Sequence, residues 1–265
     1  MSPHRKATYM KIAIFGYGNL GSGIEVAMNM RQPPNGELIG VFVRRDPATV
    51  KTCTGVPVYS VTDIVKFKDQ IDVLILCSHH SSTPSVLDFA MAHHLPVVLA
   101  TTGHTDEEEV AIRKASESIP IFFTANFSLG VALLLDTARR IAATMPNAQI
   151  EINEKHHDRK LDAPSGTALA IANALCEVRP EATVVTGRSG YGKRTPEEIG
   201  VHAIRMGNIV GEHEVIIGTP NQTITLKHEA HDRALFAEGA LAAAEFLCKG
   251  LPAGLYDMTD LVSKA

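Results

Sequence analysis

The sequence predicts an α/β fold in which a doubly wound parallel sheet is followed by a second α+β domain with a mixed sheet. In the first half of the chain, short apolar runs of strand length alternate with stretches of helical length. Repeated strand–helix units of this kind give a parallel sheet with helices on both faces. In the second half, apolar and polar residues alternate along the strand-like runs, which indicates strands with one exposed face.

The first sheet is predicted from apolar runs that are separated by helical stretches and by a Pro-Pro-Asn-Gly break. The strands are KIAIF at residues 11–15, ELIGVFV at 37–43, DVLILC at 72–77, PVVLA at 96–100 and PIFFTA at 120–125. The helices occupy the residues after the first glycine-rich turn up to about Arg31, and then residues 82–94 and 105–118.

The second half is predicted to begin with a long helix at residues 129–145, followed by the strand AQIEINEKHH. A helix at 166–176 and a polar loop at 186–200 come next. The segment HAIRMGNIVGEHEVIIG then contains two strand runs joined at Gly207-Asn208, a dipeptide that predicts a β-hairpin. A last strand, TITLKHEA, precedes a closing helix that ends at Gly250.

Composition argues against several classes of function. The 265 residues are 45% hydrophobic and 20% charged, and a formal net charge of −4 gives no reason to expect a nucleic-acid partner. No apolar run is long enough to span a membrane, and the polar start MSPHRKATYM lacks the apolar segment of a secretory signal, so we expect a cytoplasmic protein. The cysteines are far apart, which predicts reduced thiols rather than disulfides or a zinc site: Cys53, Cys77, Cys176 and Cys248.

A glycine-rich turn follows the first predicted strand. The segment IFGYGNLGSG supplies a G-x-G-x-x-G pattern between a strand and a helix, which is the context of a Rossmann-like dinucleotide site. The glycines permit a tight turn, close approach of the backbone to a pyrophosphate, and a helix N-terminus facing the phosphates. The alternative is a glycine-rich turn that binds nothing. The residues predicted to contact the dinucleotide here are Gly16, Tyr17, Gly18, Asn19, Leu20 and Gly21.

The residues after the second predicted strand indicate which dinucleotide would bind. An NAD site favours an acidic residue there, which binds the ribose 2′-hydroxyl group. This chain instead has Arg44 and Arg45. Because a guanidinium group pairs well with a 2′-phosphate, the sequence favours NADPH over NADH, although two solvated arginines are the alternative.

The segment EKHHDRKLDAPSGTAL, residues 154–169, gathers titratable groups ahead of a helix. Ser165 is a good N-cap residue, so Gly166 and Thr167 fall in the first turn, where unpaired backbone amides attract anions. His156 and Lys160 lie a few residues earlier. Together these groups could hold a substrate with two carboxylates, with Lys160 on one and the helix amides on the other, while a protonated histidine or lysine delivers a proton.

The same segment closely resembles the signature of the dihydrodipicolinate reductase (4-hydroxy-tetrahydrodipicolinate reductase) family of lysine and diaminopimelate synthesis. Further segments resemble the family in the same order: ATTGHT at 100–105, TANFSLGV at 124–131, IVGEHEVIIG at 209–218 and GLYDMTDLV at 254–262. The resemblance implies reduction of 4-hydroxy-tetrahydrodipicolinate (dihydrodipicolinate) to tetrahydrodipicolinate by NADPH or NADH, in a homotetramer. No metal is needed for such a reaction, because the hydride comes from the cofactor.

The resemblance also implies roles for individual residues and a division into domains. His156 would be the proton donor or acceptor and Lys160 the second catalytic cation, while substrate would be bound by His157, Lys160, Gly166 and Thr167. The dinucleotide-binding domain would comprise residues 1–126 and 237–265, and the substrate-binding and oligomerisation domain residues 127–236. The nicotinamide end of the cofactor would be lined by Ala100, Thr101, Thr102, Thr124, Ala125, Asn126 and Phe127.

The first half departs from the family pattern. The family spaces its glycines G-x-x-G-x-x-G, whereas this chain has the tighter GYGNLG, and Arg44 replaces the family's usual acidic residue. Here the chain resembles diaminopimelate dehydrogenase, an NADP enzyme of the same pathway, which strengthens the NADPH prediction. Two alternatives to the reductase stay open at this point: an NADP-dependent amino-acid dehydrogenase of the diaminopimelate type, and a non-catalytic nucleotide-binding sensor.

Overall fold

A computed structural model of the chain describes residues 9–31 and 35–263. Most of the polar start, where the sequence argues against a secretory signal, lies outside the described residues, as do the two prolines of the predicted break. The chain divides into two compact units: one holds the residues up to Phe127 together with those from Ala234 onward, and the other holds Ser128–Arg233. Among the described residues, no helix combines the length and apolar character that a membrane crossing requires.

The described residues form strands and helices in the following order along the chain. The strands are β1 Met10–Phe15, β2 Gly36–Val43, β3 Val58–Ser60, β4 Val73–Leu76, β5 Val97–Leu99, β6 Pro120–Phe123, β7 Gln149–His156, β8 Thr183–Thr186, β9 Glu198–Arg205, β10 Gly211–Thr219, β11 Gln222–Ala230 and β12 Gly254–Tyr256. The α-helices are α1 Asn19–Asn29, α2 Thr83–His93, α3 Asp106–Ser116, α4 Leu129–Thr144, α5 Gly166–Val178, α6 Ala234–Leu247 and α7 Met258–Ser263.

The first unit is built on a parallel sheet with the strand order β12-β6-β5-β4-β1-β2-β3. The central strands β1 and β4 are buried along almost their whole length, as their continuous apolar runs predict. Because β1 pairs with β2 on one side and with β4 on the other, the strand order reverses there, and ligands bind at such a switch point beside the carboxyl ends of the strands. The predicted α/β fold class is confirmed.

Two strands of this sheet, β3 and β12, were not predicted from the sequence. Each has only three residues, VYS and GLY, and each lies at an edge of the sheet. A run this short carries no alternation of apolar and polar residues, so periodicity cannot identify it.

The second unit contains a mixed sheet with the order β11-β10-β7-β9-β8, covered by α4 and α5. Strands β8, β9 and β7 run parallel to one another, whereas β10 is antiparallel to both β7 and β11. The buried side chains of α4, α5 and the central strands form one apolar cluster on a single face, which explains the alternating burial along β7.

The predicted hairpin at Gly207-Asn208 is wrong. Strand β7 lies between β9 and β10, so the two runs that flank this turn are not neighbours. The turn instead passes around the end of β7: Met206 N–H donates to the His156 carbonyl at 3.0 Å, and His157 N–H donates to the Ile209 carbonyl at 2.8 Å. The true hairpin joins β10 to β11, where Thr219 pairs with Gln222. The Gly207-Asn208 dipeptide therefore correctly predicted a turn. It gave no indication that β7 lies between the two strands that flank this turn.

Helix α6 returns the chain to the first unit. It contacts α1 and the strands β4, β5 and β6, and most of its small residues are buried. At Gly239 an added Cβ atom would lie 1.7 Å from the carbonyl oxygen of Phe127, so only glycine permits this approach. The closing helix is therefore part of the core of the first unit.

Candidate active site

The glycine turn has the geometry of an anion-binding loop. Gly16 has a φ of +101°, and a Cβ atom there would lie 2.6 Å from the Cβ atom of Ser78. A Cβ atom at Gly21 would lie 2.8 Å from the carbonyl oxygen of Gly16, whereas at Gly18 it would meet nothing within 4 Å. Gly18 is the N-cap of α1 and supplies no side-chain cap, so the amides that follow, at Asn19 and Leu20, begin a helix whose N-terminus suits a phosphate.

Two cations lie beside this turn. Arg44 and Arg45 directly follow β2 and are exposed, and the Arg45 Nη2 atom donates to the Tyr17 carbonyl at 3.0 Å. The Arg44 guanidinium lies 3.5 Å from the Ser81 Oγ atom. Within the described residues neither arginine forms an ion pair with a carboxylate, so both guanidinium groups are available to an anionic ligand.

Sequence reasoning missed Glu25, a fully buried carboxylate on α1. It accepts hydrogen bonds from Cys53 N–H at 2.9 Å, from Thr54 N–H at 2.6 Å and from the Tyr17 hydroxyl. Burial by itself raises the pKa of Glu25, but the hydrogen bonds from Thr54, Tyr17 and Cys53 outweigh it and the pKa is lowered. Burial also raises the pKa of Tyr17. Glu25 thus links the glycine turn, through Tyr17, to the segment that follows Arg45, through Cys53 and Thr54. The only sequence signal that could have identified Glu25 is its position on the buried face of α1.

The residues assigned to the nicotinamide end follow β5 and β6, at the same edge of the sheet as the glycine turn. Thr101 is buried, and its hydroxyl donates to the Ser78 carbonyl at 3.0 Å. Thr124 and Asn126 form a local turn in which Asn126 N–H donates to the Thr124 Oγ1 atom at 3.3 Å. Phe127 is buried at the end of this segment. The first unit therefore gathers every predicted cofactor residue along one edge, including Ala100, Thr102 and Ala125.

The second unit holds His156 at the end of β7, beside a buried carboxylate. The His156 Nδ1 atom lies 2.6 Å from the Glu154 Oε2 atom, and Glu154 is 0% exposed. Arg205 pairs with both oxygens of Glu154, at 2.8 and 2.7 Å, and Ser165 N–H donates to Oε1 at 2.9 Å. Burial by itself raises the pKa of Glu154, but the hydrogen bonds from Arg205, His156 and Ser165 lower it, so the carboxylate is ionised at neutral pH.

Lys160 and the start of α5 share one carboxylate. The Lys160 Nζ atom lies 2.7 Å from Asp162 Oδ1, and Gly166 N–H donates to Asp162 Oδ2 at 3.3 Å. The hydrogen bond from Lys160 is the largest influence that lowers the pKa of Asp162. The sequence reasoning placed the lysine and the helix amides on two different carboxylates of a substrate. The structure shows that the two groups are close enough to hold the same one.

The rest of the motif surrounds this pair. Ser165 caps α5 by accepting from Ala168 N–H at 3.2 Å, and a Cβ atom at Gly166 would meet nothing within 4 Å, so the helix start faces open space. Thr167 follows in the first turn. The ring of His157 has a buried Nδ1 atom without a partner in the described part of the chain, and burial lowers the pKa of this histidine.

Three residues of this cluster were missed from the sequence: Glu154, Arg205 and His213. His213 was given no role, yet it is buried, its Nε2 atom lies 3.2 Å from Ser165 Oγ, and its ring lies 5.3 Å from that of His156. Burial lowers its pKa to about 4. Glu154 was detectable, because residues two apart on a strand share a face. Arg205 lies opposite His156 in the pairing of β7 with β9. The wrong hairpin prediction paired the strand of Arg205 with β10 instead, so this neighbour of His156 was not found.

Comparison with known proteins finds one family across both units. The family model for the N-terminus of dihydrodipicolinate reductase matches residues 10–127, and the model for its C-terminus matches residues 130–262. A 4-hydroxy-tetrahydrodipicolinate reductase from Caldanaerobacter subterraneus subsp. tengcongensis is 48% identical over 210 residues, which cover 78% of this chain and 82% of the relative. Another, from Exiguobacterium sibiricum, is 35% identical over 255 residues and covers 96% and 97%.

Solved structures show the same fold. A dipicolinate-bound dihydrodipicolinate reductase from Paenisporosarcina sp. TG-14 superimposes with a TM-score of 0.78 at 24% identity, over 94% of this chain and 98% of that one. A C. glutamicum DAP dehydrogenase in complex with DAP gives a TM-score of 0.56 at 18% identity, over 96% and 94%. At 18% identity this match shows a shared fold, and it extends over both units rather than over the first half alone.

Proposed function

The chain belongs to the dihydrodipicolinate reductase family, and we propose that it reduces 4-hydroxy-tetrahydrodipicolinate to tetrahydrodipicolinate with NADPH in preference to NADH. The observation that carries the proposal is the site formed by Lys160 and the start of α5, which already binds the carboxylate of Asp162. Such a site accepts a substrate carboxylate in the same way, and His156 lies a few residues away at the end of β7.

Substrate binding begins with the exchange of one carboxylate for another. A substrate carboxylate takes the place of Asp162 between the Lys160 ammonium and the Gly166 amide, where the dipole of α5 favours negative charge. Thr167 follows in the same turn, and His157 lies beside His156. Both are assigned to substrate binding because their hydroxyl and imidazole groups are hydrogen-bonding partners for a second polar group of the substrate.

Proton transfer is assigned to His156 and Lys160. The Nδ1 atom of His156 is committed to Glu154, so Nε2 is the atom that can give or take a proton. Lys160 supplies a second cation that stabilises negative charge developing on the substrate. General acid–base catalysis of this kind contributes a factor of about 10² to 10⁴ in rate.

The residues of the first unit fit a pyridine nucleotide that carries a 2′-phosphate. The glycine turn leaves open space at Gly18 ahead of the uncapped N-terminus of α1, which suits a pyrophosphate. Arg44 and Arg45 directly follow β2, where an NAD site has an acidic residue, and this supports a partner for a ribose 2′-phosphate there. The cofactor, when bound, supplies the hydride.

The test uses variants of the two assigned catalytic residues. His156→Ala and Lys160→Ala should each lower kcat by about 10² to 10⁴ while NADPH affinity stays within about twofold, because both residues lie outside the cofactor unit. The matched control is Lys155→Ala, which removes a lysine of the same strand that pairs with Glu212 at 2.9 Å. Turnover at the level of the unmodified enzyme in both test variants would overturn the assignment.

A further inference from the structure

We propose that Glu154 is a positioning residue for the reaction: its carboxylate holds the imidazole of His156 in one tautomer and one orientation. The proposal rests on the catalytic role of His156 proposed above. It adds a residue that does not itself touch substrate, cofactor or the reacting atoms, and it identifies Arg205 as the group that keeps Glu154 in place.

The hydrogen bonds of Glu154 leave its carboxylate a single orientation. The Oε2 atom accepts from His156 Nδ1 at 2.6 Å and from Arg205 Nη1 at 2.8 Å. The Oε1 atom accepts from Ser165 N–H at 2.9 Å and from Arg205 Nη2 at 2.7 Å. The donors come from three separate segments, the ends of β7 and β9 and the N-cap of α5. A carboxylate bound from three directions cannot rotate without breaking several of these bonds.

The tautomer of His156 follows from the charge of Glu154. An ionised carboxylate only accepts hydrogen bonds, so the Nδ1 atom of His156 must carry the hydrogen. The Nε2 atom is then the site of proton exchange. Gly211 leaves room beside this atom, because a Cβ atom there would lie 3.1 Å from His156 Nε2.

Arg205 offsets the free-energy cost of burying the Glu154 carboxylate. A carboxylate that is 0% exposed is costly unless it is paired and its lone pairs are satisfied, and the two-pronged contact from Arg205 meets both conditions. Arg205 is itself held by the Asp162 carbonyl, which accepts from Nη2 at 2.6 Å. The other titratable groups near this centre are His213 on β10 and, in the loop after β7, Lys160 and Asp162. His213 is neutral near pH 7, so the local charges are those of Arg205, Glu154, Lys160 and Asp162.

The same strand offers a matched control. Glu151 lies three residues before Glu154 on β7 and also contacts a histidine and an arginine. Its Oε2 atom lies 2.8 Å from His202 Nε2, and its Oε1 atom lies 3.2 Å from Arg194 Nε. Glu151 is 30% exposed and faces the opposite side of the sheet from Glu154. A substitution of Glu151 therefore removes contacts with one histidine and one arginine, as a substitution of Glu154 does, but it leaves His156 untouched.

The experiment compares Glu154→Gln with Glu151→Gln in the full chain. Glutamine keeps an oxygen for Ser165 N–H, but it turns an amide NH₂ group toward His156 and so no longer requires hydrogen on Nδ1. We expect Glu154→Gln to lower kcat about 100-fold while KM changes less than about threefold, the signature of an interaction used in the transition state. Glu151→Gln should retain both values. A kcat for Glu154→Gln within about threefold of the unmodified enzyme would overturn the proposal.

A spectroscopic readout covers the case in which Glu154→Gln does not fold. In the unmodified protein, ¹⁵N NMR of the histidine side chains, with His156 assigned from a His156→Gln spectrum, should show hydrogen on Nδ1 in the neutral form of the His156 ring. Hydrogen on Nε2 would overturn the proposal without any variant of Glu154. If His156→Ala also retains full turnover, the proposed catalytic role of His156 fails instead, and the NMR result still reports on Glu154.

Discussion

Arg44 is the residue that we expect to decide most directly between the two pyridine nucleotides. It follows β2, where an NAD site places an acidic side chain, and it makes no ion pair within the described ranges. We expect Arg44→Asp to shift the ratio of kcat/KM from NADPH toward NADH by at least about tenfold, because the change removes a phosphate partner and supplies a partner for the ribose hydroxyl. Steady-state kinetics with both cofactors measure the ratio. An unchanged ratio would exclude Arg44 from the 2′-phosphate site.

His213 makes the stability of the protein depend on pH. Burial lowers its pKa to about 4, whereas the unfolded chain has the ordinary histidine value, so the unfolded state binds more protons between about pH 6.5 and 4. Stability from this group is complete above that window and is lost as the pH falls through it. In urea unfolding, the unmodified protein should lose about 2 kcal/mol more than His213→Gln between pH 7 and pH 4.5. Equal losses in both proteins would contradict this account.

One glycine in α6 and one in α1 allow close packing: Gly239 of α6 lies against Phe127, and Gly23 of α1 lies against Ala237 of α6. A Cβ atom at Gly239 would lie 1.7 Å from the Phe127 carbonyl oxygen, whereas one at Gly23 would lie 3.3 Å from the Ala237 Cβ atom. We expect Gly239→Ala to destabilise the protein by about 2 kcal/mol or more and to weaken NADPH binding by displacing Phe127. Gly23→Ala, the control, should cost less than about 1 kcal/mol, because alanine also favours the helix. Similar unfolding free energies for the two variants would contradict this prediction, because they would show that α6 and Phe127 can move apart to accept the added methyl group.

Elements with strong periodicity were predictable, and those defined by long-range pairing were not. The apolar runs of β1, β2, β4, β5 and β6 and the helices between them are visible in the sequence because burial on both faces or on one face leaves a local pattern. The position of β7 between β9 and β10 leaves no such pattern. For the same reason the motif around His156 was found from its own residues, while Arg205 and His213, which reach it from other strands, were not.

At the scale of the whole molecule, the second unit is an insertion in the first. The chain leaves the first unit at Phe127 and returns to it at Ala234, and α6 then buries its apolar residues against α1 and the parallel sheet. A chain ended after Arg233 should therefore lose its cofactor unit, because the core would be left open. Loss of NADPH binding in a fluorescence titration is the expected result. Retention of NADPH binding at the affinity of the intact chain would contradict it.

The homotetramer implied by the family resemblance stays a prediction at this scale, and light scattering on the intact chain measures it. The proposed division into a cofactor-binding unit and a substrate-binding unit does not depend on it. The residues proposed to bind the cofactor lie in the first unit, and the His156–Lys160 cluster lies in the second.

We propose above that this chain is an NADPH-dependent reductase of 4-hydroxy-tetrahydrodipicolinate. The direct measurement is oxidation of NADPH, with substrate made in the same cuvette by dihydrodipicolinate synthase from pyruvate and aspartate semialdehyde, and with NADH in a parallel reaction. We expect oxidation that requires the synthase and is faster with NADPH than with NADH. Absence of synthase-dependent oxidation with both cofactors would contradict it, and NADP reduction by diaminopimelate would then identify the dehydrogenase instead.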